Sequence, residues 1–161
     1  MKPGILASAA LSLAALGLAG CGSDGAQQQT ETAPEGFPGI TVTNGRLVLP
    51  TVKGNPGAVY FDISYDGDDV AVLRAADVAG AKSAMLHETV EANGQSSMQE
   101  SMPIKINKGA TIKFEPGGRH VMAMDLDDTL QPGGTTEVTL TFTGGDKMSF
   151  PAQILAPGDA H

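Results

Sequence analysis

Residues 84–98 read A-M-L-H-E-T-V-E-A-N-G-Q-S-S-M, and the Asn93-Gly94 pair inside this run decides the fold class. An Asn-Gly loop closes the tight turn whose twist matches two antiparallel strands, because both residues accept a positive φ. Closing it pairs Ala92 with Gln95, Thr89 with Met98 and His87 with Glu100. His87 and Met98 then share a face as diagonal neighbours about 7 Å apart, a register that a bulge in the hairpin would spoil. Further along, residues 119–124 read R-H-V-M-A-M. If that run is extended, His120 and Met122 point to one side, since strand side chains alternate. The spacing H-x10-M-x21-H-x-M thus defines a candidate soft-metal site from His87, Met98, His120 and Met122.

Outward from this stretch the pattern stays at period two, with no sustained 3.6-residue stripe. Strands are expected at 40–43, 47–49, 58–65, 70–75, 84–90, 97–102, 111–114, 120–126, 137–142 and 148–155. Turn clusters separate them, among them Asn44-Gly45, Pro116-Gly117-Gly118 and Gly144-Gly145-Asp146. Short strands punctuated this densely predict an all-β sandwich or barrel. Val59, Phe61 and Ile63 alternate with Tyr60, Asp62 and Ser64, and Val138, Leu140 and Phe142 alternate with Glu137, Thr139 and Thr141, so these two apolar sets should form the core. Pro103 and Pro151 should mark strand starts or edges, because proline donates no ladder bond.

Seven methionines set the chemistry. Besides Met1 and Met148, five of them, Met85, Met98, Met102, Met122 and Met124, fall within the central forty residues. A thioether is neutral and soft and imidazole is borderline, so a mixed set favours Cu(I) over zinc, calcium or magnesium. Blue-copper electron transfer needs a cysteine thiolate, and the sole cysteine, Cys21, lies outside the domain. Any one methionine taken alone fills a gap in a core poor in aromatics. Two histidines and two methionines converging through two separate pieces of β geometry point instead to an ion. His161 is expected to belong to a tail.

The first twenty residues carry Lys2, an apolar run and then Leu18-Ala19-Gly20-Cys21. The run is too short for a bilayer span. It reads as an export signal ending in a box that resembles the bacterial lipoprotein type, with Cys21 as the lipidated residue. Residues 21–39 are small and polar and read as a flexible tether, 40–156 as one domain, and 157–161 as a tail. An extracytoplasmic protein anchored to a bacterial membrane, at the cell surface or on a periplasmic face, is expected. With 18 acidic and 10 basic residues the formal charge is -8, and no basic cluster supports nucleic-acid binding.

Enzymatic readings find no footing. His87-Glu88 has no second histidine four residues on, as the zinc-protease helix would require, and a G-x-S-x-G elbow is absent. Asp66, Asp68 and Asp69, like Asp125, Asp127 and Asp128, lack calcium-loop spacing and read as solvated turns.

The spacing H-x10-M-x21-H-x-M resembles the PCu(A)C family of extracytoplasmic copper chaperones. So do L-H-E before a hairpin, P-G-G-x-H-V-M before a short strand, A-V-Y-F-D-I-S-Y-D-G-D-D, the turn within residues 126–134 and the E-V-T-L-T-F strand. The likeness covers about residues 40–150. It implies a cupredoxin-like Greek-key β-sandwich and Cu(I) held by His87, Met98, His120 and Met122. It also implies transient delivery to the dinuclear copper site of a cytochrome c oxidase subunit by a monomeric carrier. Two other readings stand beside it, copper scavenging or buffering at the surface and a structural lipoprotein without metal. Gln99-Glu100-Ser101 stand where the family pattern has a basic residue and a proline, which makes Met102 a rival ligand. Met85 shares the face of Met98 and Met124 that of His120, and with Met102 they stand as auxiliary ligand candidates whose default role is packing around the site.

Overall fold

The computed structural model describes residues 36–159, and these contain ten strands and no helix. In chain order they are β1 (Ile40–Val48), β2 (Gly57–Tyr65), β3 (Ala71–Val78), β4 (Ala81–Ala92), β5 (Gln95–Glu100), β6 (Ile104–Ile106), β7 (Thr111–Phe114), β8 (Arg119–Leu126), β9 (Thr135–Phe142) and β10 (Lys147–Leu155). The ladder runs β5-β4-β8-β7-β2-β1-β10-β9-β3-β6, with β8 also paired to β2. It closes over itself as a cupredoxin-like sandwich. Inner residues of β2, β4, β7 and β8 on one side and of β3, β6, β9 and β10 on the other merge into one core.

Both core alternations appear as the sequence predicts. Val59, Phe61 and Ile63 are fully buried, as are Val138 and Leu140, with Phe142 nearly so. The Phe61 ring stacks on Phe114 at 4.2 Å between centroids and meets Phe150 at 5.0 Å. The remaining face of β2, with Ala58, Tyr60 and Asp62, points away from this core, and the same rule governs β4 and β8. Leu86, Val121 and Ala123 are inward; His87, His120 and Met122 take the opposite face.

Four sequence expectations are corrected. Asn44-Gly45 does not separate two strands: β1 runs through it, with Asn44 at φ 58° and a register shift between Thr43 and Arg46. An added Cβ on Gly45 would lie 2.8 Å from both the Phe150 ring and the Pro151 carbonyl oxygen, so β10 crosses here too closely for a side chain. Pro151 lies in an interior strand, between β9 and β1. It pairs with Glu137 inside β10, at a rung where its nitrogen turns toward β1, whose own pairing with β10 begins only at Gln153. Residues 104–106 form a short strand unforeseen from sequence, because three residues carry too little alternation to register. Finally, Phe37, assigned to the tether by composition, packs on Phe142 and Tyr65 with centroids 4.6 and 6.1 Å apart. The export signal, Cys21 and His161 lie outside the described residues.

Candidate metal centre

The hairpin forms in the register that Asn93-Gly94 dictates. Both residues have positive φ, 54° and 74°, and the β4–β5 ladder runs from Ala92↔Gln95 through Thr89↔Met98 to His87↔Glu100 with no shift. The other edge of β4 pairs with β8, an alignment that local sequence does not specify. It sets His87 opposite His120 and Met85 opposite Met122, while Ser83 faces Met124. Directly paired residues of antiparallel strands share a face with Cβ atoms about 4.5–5.5 Å apart. Accordingly the two imidazole centroids lie 5.9 Å apart.

The turn Glu115-Pro116-Gly117-Gly118 delivers His120 to this position, with Gly118 N donating to the Glu115 carbonyl at 3.0 Å. His120 Nδ1 lies 3.2 Å from the Gly118 carbonyl. A carbonyl only accepts, so Nδ1 carries the proton and Nε2 keeps its lone pair for a ligand. His87 differs: its Nδ1 is buried and has no hydrogen-bond partner. An orphaned buried polar atom costs about 1–3 kcal/mol unless something outside the chain satisfies it.

Two residues that local sequence reasoning missed complete the row. Tyr60, on β2, lies beside His120 of the paired strand β8, with ring centroids 6.3 Å apart, and the Arg46 guanidinium sits over the Tyr60 ring at 5.2 Å. Alternation in β2 already turned Tyr60 away from the core, but only the β2–β8 pairing brings it beside a histidine. Burial raises the Tyr60 pKa, and Arg46 opposes that shift.

Of the expected site residues, His87, His120 and Met122 lie on two consecutive same-face rungs of one ladder. Met98 shares their face but sits on the outermost strand, 54% exposed. Met102 lies beyond the end of β5 and is 78% exposed. Met124 is one same-face position further from the histidines than Met122. Among the described residues no group of three or more His, Cys, Asp or Glu side chains could hold an ion. The donors that this row offers are two imidazoles and thioethers, a set whose chemistry suits a soft monovalent cation. Three of the turn aspartates are engaged otherwise. Lys108 reaches Asp68 at 2.7 Å, Lys53 reaches Asp128 at 2.6 Å, and Thr129 N donates to Asp127, lowering its pKa.

Burial pushes the His120 pKa below the ordinary 6.5; the Gly118 bond counters this, and His87 adds to it. Above 6.5 the ring is neutral whether folded or unfolded. Below that value the unfolded chain takes up a proton that the folded site resists, so stability without metal declines as pH falls toward the folded pKa. Urea denaturation at about pH 7.5 and about pH 5.5 should show a decline that is shallower in His120→Gln. Equal declines in the two proteins would assign the acid sensitivity to other groups.

The comparisons with known proteins agree with this architecture. The fold is that of PCuAC domains. An apo PCuAC domain from PmoF1 superposes with a TM-score of 0.63 at 25% identity, covering 77% of this chain and 99% of that one. The solution structure of Cu(I)-DR1885 from Deinococcus radiodurans superposes with a TM-score of 0.59 at 23% identity, covering 79% and 85%. The chain belongs to the family described as "Putative lipoprotein LpqE-like", whose model matches residues 40–154. A relative named "Putative lipoprotein Lxx21020", from Leifsonia xyli subsp. xyli, is 38% identical over 89 residues, which are 55% of this chain and 54% of the relative. The match thus spans about half the length of that curated relative.

Proposed function

We propose that this chain is an extracytoplasmic copper chaperone, not an enzyme. It binds one Cu(I) through His87, His120 and Met122, with Met98 as a further thioether that the ion can engage, and passes the ion to an acceptor. The observation that carries this reading is the direct cross-strand pairing of His87 with His120 on the outer face of the sheet, with methionines on the next rung. The imidazoles supply neutral nitrogen donors, and the thioethers bind a soft ion without losing a proton. Donors on one open sheet face leave the ion accessible to a partner's ligands, so copper can move by stepwise ligand exchange. The fold shared with a Cu(I)-loaded protein supports copper as the cargo.

In this reading Cys21 carries the lipid that holds the domain at a bacterial membrane, in keeping with a relative named as a lipoprotein. The acceptor is a copper-binding subunit of cytochrome c oxidase, met transiently by a monomeric carrier. Anaerobic titration of Cu(I) against a chelator should give tight one-to-one binding. Mixing the loaded protein with an apo oxidase subunit should then move the copper across. A deletion strain with undiminished oxidase activity under copper scarcity would sink the delivery role and leave copper buffering as the function.

A further inference from the structure

The geometry points to Met85 as a metal ligand, one that alternates with Met98 as thioether donor to the same ion. Resting on the reading that this site carries Cu(I), Met85 belongs to the state in which the ion is held, and Met98 to the state from which it leaves.

Placement on the ladder carries the assignment. Met85 lies directly opposite Met122, and each is two residues from the histidine of its own strand. Four donors therefore occupy two consecutive same-face rungs, with diagonals of about 7–8 Å that long side chains and one ion can close. Met98 is placed otherwise. Its strand is separated from β8 by β4, about 10 Å across the sheet, and its rung lies four residues from that of Met122, about 13 Å along the strands. One ion bound by Met122 and both histidines is within easier reach of Met85 than of Met98.

Burial agrees with this division. Met85 and Met122 are half-buried on the outer face, whereas Met98 is 54% exposed. Nor does Met85 pack against the core. Met148 is the methionine that packs against the core, and Met85 and Met122 do not belong to that cluster. The exchange forms a bond from copper to the Met98 sulfur as the bond to the Met85 sulfur breaks. Copper stays Cu(I), and no proton moves.

The test follows the methionine ε-methyl signals of the full-length protein, 13C-labelled and purified in detergent, as one equivalent of Cu(I) is added anaerobically. The Met85 and Met122 signals should both move. Met85→Leu, which preserves volume, should weaken Cu(I) binding about tenfold or more in chelator competition without altering the unfolding midpoint. A stationary Met85 signal beside a moving Met122 signal would remove Met85 from the site and leave the copper reading intact. So would a Met85→Leu protein that binds as tightly as the parent. If no methionine signal moves in the folded protein, the copper reading itself fails.

Discussion

Replacing His120 with alanine should lower Cu(I) affinity by at least about 100-fold, or about 2.7 kcal/mol. Loss of groups that merely orient a metal ligand already costs about 10- to 100-fold, and His120 is assigned as a ligand itself. The ring is 6% exposed and held through Nδ1 by the Gly118 carbonyl, so its Nε2 is aimed before any ion arrives. Alanine removes the donor and the anchor together. Its neighbours Val121 and Leu86 face the core and stay in place, so the fold should survive. Anaerobic chelator competition measures the affinity, and a thermal unfolding midpoint near that of the parent certifies the fold. A folded His120→Ala protein that still competes like the parent would leave the histidine row with a structural role alone.

The second large effect lies beneath the site. Phe61→Ala should cost about 3–5 kcal/mol of stability, because a fully buried ring is lost from a core that collapses only in part. Phe114 loses its stacking partner, and Phe150 loses a tilted contact. A domain is stable by about 5–15 kcal/mol, so much of the margin would go. The site depends on this core through β2: the strand that buries Phe61 inward presents Ala58 and Tyr60 outward, opposite Met122 and beside His120. Urea unfolding should show a lower midpoint at an unchanged slope. Copper affinity measured well below that midpoint should be nearly that of the parent. A stability loss under about 1 kcal/mol would mean that the space closes over and that the core is softer than its burial implies.

Legibility from sequence followed the range of the interactions. The β4–β5 hairpin was readable residue by residue, since Asn93-Gly94 dictates both turn type and register within a few positions. The core faces of β2 and β9 were readable because alternation is local. Pro151 was misjudged for the opposite reason: whether a strand lies at an edge depends on which distant strand arrives beside it, and β1 reaches β10 only from Gln153 onward. Phe37 was assigned to the tether because its neighbours are small and polar, although its ring finds Phe142 more than a hundred residues away.

The same division runs through the candidate metal centre. Sequence by itself determined the donor types, the hairpin that places Met98 diagonally from His87, and the alternation that puts His120 and Met122 on one face. The pairing of β4 with β8 was decided only by the tertiary structure, and with it the direct opposition of His87 to His120 and of Met85 to Met122. Closing a loop of some thirty residues between these strands costs entropy that no local signal repays. What repays it is the burial of Leu86, Val121 and Ala123 on the inner face, and that burial fixes the outer face as well, because a slip of one residue would turn the histidines into the core.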